Sequence, residues 1–289
     1  MEWHKILDPN SPDLDTLAER YHLHPLHIED CRHRNQSAKI EESEGYVFTV
    51  MKGVRLGPDG ELLTADLDIF FGADFVITVL EDNCPESISL LEQVGKATDG
   101  NSRADQVYYR IIDHMVDAYL PVLDHFAETI DGLEGQALEA PTPATLAGIF
   151  ETKRSLILLR RVMVNTRDVA SHLQRTESPF ISRDMWPFLR DVYDHVARNL
   201  DNVEMQRDLL TGALDVYLSS VANRTNQVMK VLTVLGTVAL PAVVVSSIYG
   251  MNVKGLPGAE SPYALLIVFS VMVVTTVLLL WVLKRFKWL

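Results

Sequence analysis

The chain has 289 residues, of which 47% are hydrophobic and 22% charged, a balance that excludes disordered and collagen-like classes. Its formal charge of −13 hides a split, because residues 231–289 hold Lys254, Lys284, Arg285 and Lys287 against Glu260, a net of +3 that leaves −16 upstream. Such an acidic region lacks the basic footprint that nucleic acid needs; it attracts cations and keeps a large domain in solution. Cys31 and Cys84 provide neither a disulfide framework nor paired metal-ligand spacing. Met1-Glu2-Trp3-His4-Lys5 has no secretory pattern, so membrane insertion is expected from the C-terminal end.

In chain order, a strand is expected at Trp3–Leu7 and a helix at Ser11–Tyr21, with Ser11 as N-cap and Pro12 at the first helical position. Pro25 opens a second short helix. Strands follow at Tyr46–Val54, Leu62–Phe71 and Asp74–Leu80, the first two parted by the turn signal Pro58-Asp59-Gly60. Residues 1–84 thus read as a small α+β domain with a largely antiparallel sheet. Helical spacing then takes over, from Val107 through Ile111, Met115 and Tyr119 towards Leu138. Pro141 and Pro143 break the chain before a second helix from about Ala144 to Leu173, which makes residues 85–186 a helical hairpin region. Asp and Glu on its face suit a solvated surface.

From Pro187 to Asn252 the pattern is one helix, first alternating charge with aliphatics and then uncharged from Val231 to Tyr249. At about 1.5 Å per residue it would span roughly 95 Å. The expected stalk occupies residues 187–249 and includes the first membrane span, about 231–249. An external loop at 250–262, a second span at 263–283 and a basic tail at 284–289 complete the plan. Arg224 and Lys230 before the first span and the basic tail after the second place both termini in the cytoplasm.

One helical hairpin cannot enclose a pore, so transport requires a symmetric ring of subunits. One face of the long helix carries Asp215, Asn226, Met229, Leu232, Gly236 and Leu240, running from acid to amide to apolar constriction, with Gly236 permitting close helix approach. A coiled-coil seam would use the same stripe, and a pore helix in a ring is also a seam. At the outer end lie Gly250, Met251 and Asn252. A left-handed Gly250 would expose helix-end carbonyls, and the Asn252 amide oxygen adds a hard neutral acceptor suited to hydrated Mg²⁺.

Asp191-Val-Tyr-Asp-His195, Leu214-Asp-Val-Tyr-Leu-Ser-Ser220, Asn223-Arg-Thr-Asn-Gln-Val-Met-Lys-Val-Leu-Thr233, Tyr249-Gly-Met-Asn252 and the ending Lys287-Trp-Leu289 resemble the CorA family of magnesium channels. His24-Pro-Leu-His-Ile-Glu-Asp30 and Tyr46-Val-Phe48 extend the resemblance upstream. It implies a funnel-shaped homopentamer in the cell (inner) membrane that admits Mg²⁺, and often Co²⁺ and Ni²⁺, driven by the membrane potential. The resemblance also implies a hydrated-ion filter at Gly250-Met251-Asn252 and pore-lining roles for Asp215, Asn226, Met229 and Leu232. It further implies a regulatory Mg²⁺ site between subunits, in which Asp191 meets an acidic pair before Tyr46. Here that pair reads Glu44-Gly45, so Glu44 is the acid that remains; Glu41, Glu42 and Asp194 are other acids of the same segments. Cations held between acidic cytoplasmic faces would keep the ring closed, and their depletion would open it.

The loop departs from the family pattern, with Lys254 introduced and the acid displaced to Glu260. Two other readings stand beside the channel. A zinc-transporting branch shares the architecture but usually varies the middle residue of Gly-Met-Asn, and Met251 speaks against it. A membrane-anchored scaffold would have no use for Asn252. An enzyme finds no support in phosphate-loop, nucleophile-elbow or His-Glu-x-x-His patterns. His114, His125, His172 and His195 are scattered along helices and read as surface or packing residues.

Overall fold

The structure is a computed structural model and describes residues 1–33, 36–81, 85–98, 102–175, 177–251, 256–258 and 261–286. The chain divides into two compact units, Met1–Asp215 and Val216–Leu289.

The first unit begins with a five-stranded sheet of β1 (Glu2–Ile6), β2 (Lys39–Ser43), β3 (Tyr46–Leu56), β4 (Leu62–Gly72) and β5 (Phe75–Leu80), ordered β1-β5-β4-β3-β2. Only the β1–β5 pairing is parallel among the recorded ladders; β2–β3, β3–β4 and β4–β5 are antiparallel. The central strands are buried on both faces, which explains their near-continuous apolar character. One face is covered by α1 (Pro12–Tyr21) and α2 (Pro25–Arg32), which bring Leu14, Leu17, Ile28 and Cys31 against Phe48, Val50, Phe70 and Val79. As expected, Ser11 caps α1 by accepting the Asp13 N–H.

The other face takes α4 (Ala104–Asp117), which follows α3 (Pro85–Lys96). Tyr108 stacks on Phe71 with centroids 4.0 Å apart, and its hydroxyl meets that of Thr49 at 2.7 Å. Next come α5 (Tyr119–Glu139) and α6 (Pro143–Arg175), whose antiparallel pairing brings Gln136 to Thr145 and Leu133 to Gly148. The periodic run expected from Val107 to Leu138 is two helices. Pro121 lacks the N–H that would continue the ladder to Asp117, and the helix restarts at Tyr119.

A short 3₁₀ turn, Arg183–Met185, leads into α7 (Trp186–Tyr249), a single helix of 64 residues; α8 (Ala264–Arg285) follows. In the first unit α7 buries Leu189, Val192, Val196, Asn199, Val203, Gln206, Leu210 and Ala213. These recur at alternating steps of three and four, the repeat of a coiled-coil seam. Gln206 donates to the Leu123 carbonyl of α5 at 2.8 Å, and Arg160 of α6 pairs with Glu204.

Candidate ion path and candidate cation cluster

In the second unit the burial pattern of α7 changes. Beyond Tyr217, Pro241 is the single buried residue among those described. Val234, Thr237, Val245 and Tyr249 are half-buried and lie with Pro241 on one stripe. At 3.6 residues per turn, Met229, Gly236 and Leu240 fall on the opposite side. Met229, Leu232 and Leu240 are 57%, 57% and 61% exposed, and Asn226 is exposed as well. A Cβ added to Gly236 would meet no atom within 4 Å. Thr233 and Thr237 spend their hydroxyls on the carbonyls of Met229 and Thr233, each at 2.8 Å. The stripe therefore offers an apolar wall, with the Asn226 amide just before it. Asp215 stands exposed further back along α7, at the end of the first unit.

α7 closes with Gly250 N–H donating to the Ser246 carbonyl at 2.8 Å and Met251 N–H to Ile248 at 3.3 Å. Gly250 is not among the positive-φ glycines, which corrects the expected left-handed cap. Its smallness matters for another reason: a Cβ there would sit 2.9 Å from the Ser246 oxygen. The Tyr249 hydroxyl donates to the Pro257 carbonyl at 2.8 Å and ties the helix end to the loop. Met251 is 56% exposed. Asn252, Lys254, Glu260 and Lys287-Trp-Leu289 lie outside the described residues.

The first unit contains a second candidate. Asp113 and Asp117 sit one turn apart on α4, and Asp191 and His195 one turn apart on α7. Ligand atoms of Asp113, Asp117 and His195 all fall within 4.8 Å of one another. His195 Nδ1 lies 3.8 Å from Asp117 Oδ1, and Nε2 lies 3.6 Å from Asp191 Oδ2. Burial, and then the charge of Asp117, push the Asp113 carboxyl up from its ordinary value. Tyr109 is pushed up to about 12, by burial first and then by Asp113, with Asp191 and Asp117 adding to it. The site is thus short of positive charge. Two carboxylates and an imidazole could hold a divalent ion, and the nitrogen suits Co²⁺, Ni²⁺ or Zn²⁺ better than all-oxygen Mg²⁺.

Sequence reasoning set His195 aside and did not single out Asp113 or Asp117. The legible signal was the i, i+4 spacing within each pair; that the pairs meet is a tertiary fact. Glu44 is not in this group. Among the described residues no hydrogen bond or ion pair joins it to Asp191. It occupies the β2–β3 turn with Gly45, whose φ of +97° is a backbone state that an acid would enter only with strain.

Both long apolar helices are long enough to cross a membrane, yet only 6% and 0% of their apolar windows are buried. A core helix of a soluble protein would be covered; these are not. The family profile "CorA-like Mg2+ transporter protein" matches residues 1–285. The chain belongs to this family.

Among its relatives, the cobalt/magnesium transport protein CorA of Thermotoga maritima is 35% identical over 287 residues, spanning 94% of this chain and 79% of that one. The zinc transport protein ZntB of Pectobacterium carotovorum is 26% identical over 204 residues, 71% of this chain and 61% of the relative. The complete CorA magnesium transporter structure from Methanocaldococcus jannaschii matches with a TM-score of 0.85 at 22% identity, covering 98% of this chain and 90% of that one. That likeness shows the fold: an α+β domain, a long stalk helix and two candidate membrane helices. The chain is a CorA-like divalent metal ion transporter, and members of this family are transporters, not enzymes.

Proposed function

We propose that the chain forms a homopentameric channel in the cell membrane, with both termini cytoplasmic. It passes Mg²⁺, and also Co²⁺ and Ni²⁺, down the membrane potential. The observation that carries this reading is the exposed stripe of α7 from Met229 to Leu240, set opposite the half-buried stripe, with exposed Asn226 just before it. In a ring, five such stripes line a path with an amide collar at Asn226 and a dewetting constriction at Met229, Leu232 and Leu240. Gly236 leaves room for a neighbouring helix. Gly250-Met251-Asn252 forms the outer filter, where the Asn252 oxygen holds the ion through its retained water. The name of the Thermotoga maritima relative supports Mg²⁺ and Co²⁺ as cargo.

Asp191 takes part in cation regulation, with Glu44 of a neighbouring subunit as its expected partner and with Asp113, Asp117 and His195 beside it in its own chain. Cations bound there favour the closed ring, and their loss favours opening.

The test is ion flux into proteoliposomes under a fixed membrane potential, with Mg²⁺, Co²⁺, Ni²⁺ and Zn²⁺, with and without a pH gradient. Mg²⁺ flux without a gradient, lost in Asn252→Ala, is the expected result. Zn²⁺ flux that needs the gradient would favour the zinc-carrying reading, which similarity to ZntB keeps in view. No flux of any ion would leave a scaffold.

A further inference from the structure

The sheet of the first unit buries an acid that the ion path does not use. Asp66 and Asp68 lie two residues apart on β4 and so share the face covered by α1 and α2. Each is 2% exposed. Asp66 is well supplied: Lys52, directly across on β3, donates to Oδ1, and the Gln36 N–H donates to Oδ2 at 2.6 Å. Asp68 is not. Its cross-strand neighbours are Val50 and Val79, Phe70 follows on the same face, and its Oδ1 accepts no hydrogen bond.

The charged and titratable groups around Asp68 come from every element packed there. The buried Cys31 thiol of α2 lies beside it and, as its neighbour, favours the ionised carboxyl. Asp30, also on α2, is tied to Lys39 at 2.7 Å. Asp66 is beside it, and Glu81, just past β5, accepts the Asp66 N–H at 2.7 Å. Three acids crowd the carboxyl, while Lys52 faces Asp66 and Lys39 faces Asp30 and Glu41. A negative charge in such a place is poorly paid for by its surroundings.

We propose that Asp68 is a proton-operated latch: as a neutral acid it lets α2 close on β4, and when ionised it loosens α2 and the edge strand β2. The connection to β2 is direct. His27 of α2 meets Glu41 of β2 at 3.0 Å through Nε2 and the Tyr46 hydroxyl at 2.8 Å through Nδ1, while Asp30 holds Lys39. β2 also carries Glu42, 3.7 Å from His172 on α6, so release of the strand reaches the helical hairpin.

Burial, and next the charge on Asp66, push the Asp68 carboxyl up from 3.8 to about 7. A carboxyl raised in the folded state stabilises the closed form fully below its unfolded value, and that contribution is lost as pH rises through the folded value. The latch therefore weakens as pH rises from about 3.8 towards about 7 and is slackest above that value.

The test is hydrogen–deuterium exchange of the full-length protein in lipid nanodiscs, following peptides that cover Pro25–Arg32 and Lys39–Ser43 from about pH 6 to about pH 8, with rates corrected for intrinsic exchange. Protection in wild type should fall on the order of tenfold across that range, as one proton's titration allows. Asp68→Asn should be flat. Cys31→Ala, which removes the neighbour that favours the ionised form, should move the transition to higher pH, a shift that a packing role would not produce. Should Asp68→Asn fail to fold, the infrared band of a protonated carboxyl in wild type must fade over the same range. Wild-type protection that ignores pH, an unaltered transition in Asp68→Asn, or absence of that band at about pH 6 would overturn the latch.

Discussion

The two halves of α7 are the same helix under different rules. Up to Ala213 its buried residues follow the three-and-four repeat and meet α5 and α6, so this chain supplies the partners for that seam. Beyond Tyr217 nearly everything is exposed, including Met229, Leu232 and Leu240. Hydropathy rises as intrachain partners vanish. An apolar surface of that kind is stable only against lipid or against other copies of itself. The contrast teaches that two demands are separately encoded along one element: a paired half that fixes structure, and a half whose apolar surface this chain leaves uncovered.

Substitutions should separate the two halves. The largest effect belongs to Val203→Asp, at 1% exposure in the paired half. An unpaired charge there should cost about 4 kcal/mol or more, seen as loss of folded protein in denaturant titration. Asn252→Ala should leave folding intact but reduce Mg²⁺ flux on the order of tenfold to a hundredfold, the loss expected when one good ligand group disappears. Intact flux would remove the filter from the unpaired half. In the paired half, Co²⁺ at tenfold its Kd should stabilise the protein by about 1.4 kcal/mol in thermal unfolding. Asp113→Asn or His195→Ala should abolish that gain, and an unchanged shift would dissolve the cluster. The smallest effect is that of Gly236→Leu. Open space around this glycine predicts a slight stabilisation of the helix, below about 1 kcal/mol from propensity, while native mass spectrometry should record fewer pentamers. Unchanged assembly would mean that the stripe is not an interface.

The sequence made the long helices legible because uncharged runs of span length and a repeating seam are strong, local signals. The strand β2 was missed. Lys39-Ile-Glu-Glu-Ser43 has no apolar alternation, as befits a charged edge strand, and it is placed by its pairing with β3. The break at Ala118 also went unread, although Pro121 carried the reason. Met229, Leu232 and Leu240 were picked from helical spacing, and they lie on the exposed side of α7. The Gly250 cap was misjudged, because a glycine after a helix suggests a left-handed turn and here a tight contact with Ser246 governs instead. His195 illustrates the limit: a histidine's neighbours across a helix interface are written in packing, and α4 lies far from α7 in the chain.

Pro241 has a mechanical consequence. Without an N–H it leaves the Thr237 carbonyl without its usual partner four residues on, in the middle of the uncharged stretch of α7. The Thr237 hydroxyl does not make up the loss, since it already serves Thr233. A rod stiffened everywhere else by its hydrogen-bond ladder thus has one rung missing, and bending at that level breaks nothing. Compliance is built into the span at a fixed height, one residue beyond Leu240, where the helix can flex without giving up a hydrogen bond.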